Sequence, residues 1–312
     1  MLGKVKAMLE NYPGLYDVIY KLYVLILFVP FSDEHNIIRE YKKVFGVSPN
    51  LVNPQTLNEK IQWLKLNDHR DINTLCADKF ASREFWKSYG EEHLVPLLFQ
   101  TKDYRKVNSD NIREFPCIVK CNNGCGTWQI IRDENNVDWK KLQKRCKSWL
   151  SSSKFFYKLT AEWQYKNIDN CIIVEKLLTN EDGSIPNDYK FHCINGEIAF
   201  IYCSVARENG NYRVCYDNDW NKLPFIWVQK RKIGRSDLNA VDIAPPQNLK
   251  LMSKIATDIA KNWDYVRVDF YECRGKLYYG EITLHHGSGH DVFSPEDYDL
   301  KYGQMLHLHK RC

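Results

Sequence analysis

The sequence predicts an α+β fold of short antiparallel hairpins flanked by helices. Two hairpins are legible in the C-terminal half, one at Asn195-Gly196 and one around Gly275. Apolar residues at helical spacing, such as Leu57, Ile61 and Leu64, recur outside the hairpins. The elements lack the strand–helix–strand rhythm of a parallel sheet.

Residues 1–75 read as helical. Leu22 to Phe31 forms a ten-residue apolar run, too short for the ~20 residues of a spanning helix. Charged Asp17 and Lys21 ahead of it, and Phe31-Ser32-Asp33 after it, do not fit a cleaved leader. A helix packed on the body accounts for the run; a peripheral membrane foot helped by Lys4, Lys6 and Lys21 is the sharper reading. Thr56 and Glu59 form a capping box at the head of the next helix. A further helix is expected over Ala77 to Tyr89, ended near Gly90. Strands follow at Phe115–Lys120, Trp128–Arg132 and Cys171–Glu175, with helices at Val137–Leu150 and Leu249–Asn262.

Length and composition narrow the class. The chain has 312 residues, enough for about two domains, and its 44% hydrophobic and 27% charged residues exclude wholesale disorder. The excess of 44 basic over 39 acidic residues gives a net charge of +5, which suits a phosphate-rich ligand or anionic membrane surface and does not demand nucleic acid. Eleven cysteines, an odd number scattered along the chain, read as reduced thiols of a cytoplasmic protein.

The two hairpins yield faces. A two-residue turn at Asn195-Gly196 pairs Ile194 with Glu197, Lys190 with Ile201 and Asp188 with Cys203. It puts Tyr189, Phe191, Cys193, Ile198, Phe200 and Tyr202 on a core face, with Asp188, Lys190 and His192 opposite. In the last hairpin Val266, Val268 and Phe270 alternate on one strand, and Tyr278, Ile282 and Leu284 share one parity on the other. Burying both sets gathers Arg267, Asp269, Glu281 and Thr283 on the opposite face. A register centred on Gly275 sets Asp269 across from Glu281. Facing carboxylates repel unless a cation lies between them; a divalent metal flanked by Arg267 or a solvated face neutralised by Arg267 both satisfy this.

Other motifs are less specific. Lys120 to Thr127 is a Gly/Asn-containing loop joining two strands, where backbone amides and a lysine charge suit an anion. No Gly-Lys-Ser/Thr follows, and the loop leads into a strand, so it is neither a Walker nor a dinucleotide loop. Cys117, Cys121 and Cys125 have C-x3-C-x3-C spacing, but the first two would lie about 13 Å apart on an extended strand. His285, His286 and His290 lack a partner at a known zinc spacing. Asp217-Asn218-Asp219 resembles the acidic motif of sugar-nucleotide glycosyltransferases, the alternative enzyme reading. A non-catalytic membrane- or nucleic-acid-binding module is a third class.

Taken in order, the segments resemble the TupA-like ATP-grasp ligases of cell-surface polysaccharide gene clusters. The likeness runs from TLNEKIQWLKLNDHRD and LCADKFASREF through FPCIVKCNNGCGTWQII, EWQYKN, CIIVEKLL, NDYKFHCINGEI and VRVDFY to YYGEITLHHGSG. It implies two α+β lobes holding ATP, an N-lobe over 76–170 and a C-lobe over 171–312, behind the helical segment 1–75. By the same resemblance Lys79 and Lys120 are phosphate lysines, and Asn122, Asn123, Gly124, Cys125, Gly126 and Thr127 form the flap. Glu175, with the backbone of Lys176 to Leu178, reads adenine, and Asp188 and Lys190 face the nucleotide. Asp269, Glu281 and Thr283 bind magnesium, with Thr283 standing where related ligases often have Asn, and Arg267 stabilises the tetrahedral intermediate. The implied activity is carboxylate–amine ligation through an acyl phosphate. A uronic-acid saccharide or nucleotide-sugar and a small amine or amino acid are the implied substrates.

Overall fold

The computed structural model describes residues 12–205, 208, 212–229 and 242–309. Lys4 and Lys6 of the expected membrane foot lie outside them. The chain opens with helices α1 (Pro13–Leu27), α2 (Asp33–Phe45), α3 (Leu57–Asn67), α4 (Asp71–Ala77) and α5 (Ser82–Lys87). The expected capping box is present in α3: Thr56 Oγ1 accepts from Glu59 N at 3.2 Å, and Thr56 N donates to Glu59 Oε2 at 3.2 Å. The helix expected over 77–89 is broken. Asp78 Oδ1 accepts from Phe80 N at 2.8 Å and Ala81 N at 3.1 Å, which folds a turn between α4 and α5 and sets Lys79 in it.

The first sheet contains β1 (Leu97–Thr101), β2 (Cys117–Cys121), β3 (Trp128–Ile131) and β4 (Ile172–Lys176), in the order β1-β4-β2-β3, with antiparallel pairings. Its β4 pairs with β1 and β2, so a division at 170/171 separates this strand from its own sheet. Helix α6 (Trp139–Ser152) packs Leu142, Cys146 and Trp149 on Val119, Cys121 and Val174. Cys117 and Cys121 belong to this apolar layer while Cys125 is exposed, and among the described residues no group of three or more metal-binding His, Cys, Asp or Glu occurs. A one-turn helix, α7 (Phe156–Thr160), follows α6.

The second sheet is larger. Strands β5 (Asp188–Ile194), β6 (Glu197–Val205) and β7 (Tyr212–Tyr216) join β9 (Tyr265–Cys273) and β10 (Lys276–Thr283), in the order β10-β9-β5-β6-β7. Helix α8 (Leu249–Ala260) buries Met252, Ile255 and Ile259 against Phe191 and Val268 on one face. The other face is divided. Over part of it Phe200 and Tyr202 pack with Leu57 and Ile61 of α3, with β8 (Ile226–Val228) and β11 (Val292–Ser294), and with Tyr302 of α9 (Asp297–Met305). Over the rest lie Asp188, Lys190, Arg267 and Asp269.

Both hairpins contain a bulge. In β5–β6 the register runs Ile194↔Glu197 and Cys193↔Ile198, then shifts to His192↔Phe200, Lys190↔Tyr202 and Asp188↔Ser204. The extra residue inverts the faces of β6. Phe200 and Tyr202 therefore join His192 on the side opposite Phe191, and Ile201 and Cys203 take the α8 side. In β9–β10 the turn is Arg274-Gly275, both with positive φ, and pairs Phe270 with Tyr279. Gly280 and Glu281 then oppose the single residue Asp269, after which Val268↔Ile282 and Arg267↔Thr283 match the expected register. Leu277 and Tyr279, not Tyr278, are thus the core residues before the bulge. A Cβ at Gly280 would lie 2.9 Å from the Asp269 carbonyl oxygen, so this close approach requires glycine.

Candidate active site

The polar face of β5, β9 and β10 carries a connected charge cluster. Lys190 lies directly opposite Asp269 in the β5–β9 register, and its Nζ donates to Asp269 Oδ2 at 2.8 Å and to Asp188 Oδ2. Arg267 grips Asp269 with both sides of its fork: Nε to Oδ1 at 2.7 Å and Nη2 to Oδ2 at 2.6 Å. The same Nη2 reaches Glu281 Oε1 at 2.8 Å, which also accepts from Thr283 Oγ1 at 3.3 Å. The expected polar face is therefore present, and Arg267 stands between the two carboxylates.

Burial sets the electrostatics. Asp269 is 1% exposed; burial pushes its carboxyl up, while Arg267 and Lys190 pull it down. Burial works against the Arg267 charge, but Asp269 and Glu281 outweigh it and hold the guanidinium protonated. Partial burial pushes the Glu281 carboxyl up, yet Lys79, Arg267, Lys190 and Lys120 together hold it at about 2. Two of those cations are on the second sheet. Lys120 comes from β2 of the first sheet and Lys79 from the α4–α5 turn. All four charges act on Glu281, whose direct ion pair is with Arg267.

The first sheet brings its own residues to this place. Cys117, Val119 and Cys121 face α6, so the alternation of β2 turns Lys120 to the opposite side. There it pairs with Glu175 of β4 at 2.6 Å, and Glu175 also accepts from Arg83 Nη1 at 3.2 Å. Lys79 Nζ donates to Gly124 O at 2.8 Å, tying the α4–α5 turn to the glycine loop. Within that loop Asn122 is a clamp: its Nδ2 donates to Asp78 Oδ1 and Asp169 O, and its Oδ1 accepts from Cys171 N. Asn123 Nδ2 donates to Asn170 Oδ1 at 2.8 Å. Thr127 O accepts from Cys121 N at 3.0 Å and closes the loop. Gly124 and Gly126 have φ of +83° and +71°, conformations that side chains resist, and Cys125 between them is exposed. At the end of β4, Lys176 N donates to Pro96 O and Leu177 N to Pro116 O, whereas Leu178 N has no acceptor among the described residues.

Several functional neighbours escape sequence reasoning. Arg83 on α5 and Asp78 in the preceding turn support Glu175 and Asn122; only the Asx-turn potential of Asp78 is visible in sequence. His286 is buried and kept neutral, burial pulling its imidazole down against Asp291. Its Nδ1 accepts from Arg267 Nη1 at 2.9 Å, so Nε2 carries the proton, facing Asp291 Oδ2 at 3.2 Å. The acidic triplet is elsewhere. Asp217 Oδ1 accepts from Asp219 N and Asn221 N, and Oδ2 from Asn221 Nδ2, so its carboxylate closes its own loop.

The molecule is thus built on two antiparallel sheets, one carrying Lys120 paired to Glu175 and the other carrying Lys190, Arg267, Asp269 and Glu281. The chain belongs to the TupA-like ATPgrasp family, whose model matches residues 59–307. Among solved structures it is similar to D-alanine–D-alanine ligase from Bacillus anthracis complexed with ATP, at 15% identity and TM-score 0.37, covering 67% of this chain and 54% of that one. D-alanine–D-alanine ligase from Helicobacter pylori matches at 14% identity and TM-score 0.41, over 80% of this chain and 69% of that one. The ATP-grasp ligase PsnB complexed with minimal precursor, Mg and ADP matches at 10% identity and TM-score 0.36, over 70% and 52%. The chain thus spans about half the length of the Bacillus anthracis ligase. No curated protein matches it.

Proposed function

We propose that the protein is an ADP-forming carboxylate–amine ligase. The observation that carries this reading is the linked ion-pair cluster Lys190–Asp269–Arg267–Glu281 on the second sheet, with Lys120 paired to Glu175 on the first and Lys79 tied to the glycine loop. Lysines and an arginine supplied from separate elements suit a polyphosphate whose charge must be neutralised during phosphoryl transfer. In this reading Lys79 and Lys120 bind phosphates and residues 122–127 fold over them. Glu175 and the free Leu178 N–H, beside the backbone of Lys176, bind adenine, and Asp188 and Lys190 face the nucleotide. The lobes meet after β4, at residues 177–187.

Asp269, Glu281 and Thr283 offer only oxygen donors, and Asp188 Oδ1 beside them is buried without a partner among the described residues. This donor set fits magnesium, which takes one or two carboxylates and completes its shell with phosphate oxygens. When bound, the ion would neutralise phosphate charge. Arg267 meanwhile counterbalances the acids, and His286 fixes its guanidinium in the plane that reaches both.

The substrate carboxylate attacks the γ-phosphate of ATP, ADP leaves, and the resulting acyl phosphate is open to an amine. Attack by the amine gives a tetrahedral oxyanion, which the Arg267 charge would stabilise; collapse releases phosphate and the amide. We assign the carboxylate to a uronic acid of a capsule or lipopolysaccharide precursor and the amine to an amino acid or other small amine, and place the reaction in the cytoplasm, where ATP is available. The support is the family resemblance. Thermal unfolding tests the nucleotide assignment. Saturating ATP or ADP with magnesium should stabilise the protein by about 2–3 kcal/mol at ~100 times the dissociation constant. Stabilisation by a uridine-diphosphate sugar, with none by adenine nucleotides, would overturn it.

A further inference from the structure

Helix α1 has an apolar ridge that is exposed among the described residues. Its inner side, Tyr20, Val24 and Phe28, packs on Phe155 and Leu159. Its outer side presents Leu15, Val18, Leu22, Leu25 and Ile26, spaced so that they form one stripe. Leu22 is 51% exposed and Ile26 64% exposed. The only charges of α1, Asp17 and Lys21, pair with each other at 2.6 Å beside the stripe. A contiguous exposed stripe of this kind marks a contact surface.

The neighbouring helix supplies a charge of one sign. Helix α1 packs against α6, and Lys21 Nζ donates to Ser151 Oγ of that helix. Ser151 continues the α6 face on which Lys140, Lys144 and Lys147 recur at spacings of four and three, and all three lysines are exposed. An apolar ridge beside a lysine strip matches an anionic bilayer, with acyl chains for the ridge and headgroup phosphates for the strip. At 15 residues α1 is shorter than a span, and among the described residues no helix is long and apolar enough to cross a membrane.

We propose that α1 seats the protein on the surface of an anionic lipid bilayer, its ridge in the interface and the lysines of α6 over the headgroups. The full chain should co-sediment with vesicles containing about one-third phosphatidylglycerol at least ~10-fold more strongly than with pure phosphatidylcholine, and that preference should fall with salt. The paired change Leu22→Glu and Ile26→Glu, at exposed positions, should lower vesicle binding by at least ~10-fold. Lys140→Glu with Lys144→Glu should remove the preference for anionic lipid. A circular dichroism spectrum and unfolding midpoint matching the parent would establish that both variants fold. Failure of the parent to bind either vesicle overturns the proposal, as does binding indifferent to the ridge changes. A parent that is oligomeric in solution, becomes monomeric with the ridge changes and ignores vesicles would assign the ridge to a second copy of the chain instead.

Discussion

Replacing Glu281 and Asp269 by their amides should separate catalysis from stability. Glu281 makes one ion pair, to Arg267 at 2.8 Å, and its side chain is 42% exposed. Solvent screening limits that pair to about 1 kcal/mol of stability. Asp269 is 1% exposed and accepts from Arg267 Nε, Arg267 Nη2 and Lys190 Nζ. Neutralising it leaves two cations short of their partner, at a cost of about 3 kcal/mol, the low end for a broken buried pair. At roughly 2 °C per kcal/mol for a chain of this size, Asp269→Asn should lower the unfolding midpoint by about 6 °C and Glu281→Gln by about 2 °C. Turnover should respond differently. Glu281 is held as a carboxylate by the charges of Lys79, Arg267, Lys190 and Lys120, and loss of ~3 kcal/mol of transition-state stabilisation slows ADP release about 100-fold. Coupled ADP detection and differential scanning calorimetry on the two variants give both quantities. Glu281→Gln turning over within about threefold of the parent, or unfolding earlier than Asp269→Asn, would refute these roles for the cluster.

Asp217→Asn should leave ADP release within about twofold of the parent in the same assay, because the carboxylate serves its own turn; a loss of ~1 kcal/mol of stability is the expected cost. Acid should weaken the fold through its buried imidazoles. Burial, with Lys65 nearby, holds His290 down at about 3, well below the unfolded value of 6.5. The unfolded chain therefore binds the extra proton first, and the contribution of His290 is complete above pH 6.5 and lost as pH falls towards 3. Unfolding midpoints measured across that window should fall less steeply in His290→Gln than in the parent. His286→Ala frees one guanidinium nitrogen of Arg267, so turnover should drop ~10-fold or more while the affinity for ADP, read by calorimetry, stays within a few-fold.

The charged face was legible in the sequence because apolar parity pins it: Val266, Val268, Ile282 and Leu284 can be buried together only if Arg267, Asp269, Glu281 and Thr283 share the other side. The two bulges were not. Both sides of the β5–β6 hairpin are largely buried, so an inserted residue at Ala199 exchanges one apolar set for another and leaves no polar residue stranded. In β10, Tyr278 and Tyr279 fit either side equally well by composition. The assignment of β4 to the first sheet, the tie of Lys79 to Gly124 and the pairing of Lys120 with Glu175 depend on packing between residues far apart in the chain, which local spacing does not encode. The break at Asp78 is an intermediate case. Helical propensity runs through it, and the side chain wins by capturing two backbone amides and Asn122 at once.

The most direct test of the central claim is to run the protein with ATP, magnesium and candidate uronic-acid carboxylates, with hydroxylamine in place of the amine. An acyl phosphate is a mixed anhydride that hydroxylamine intercepts, so the productive carboxylate should give a hydroxamate in step with ADP and phosphate. Lys120→Ala should suppress both, since its charge would be missing where phosphate charge accumulates. Hydroxamate formed in step with AMP and pyrophosphate would mean that the activated species is an adenylate, and would contradict phosphate binding by Lys79 and Lys120 and oxyanion stabilisation by Arg267.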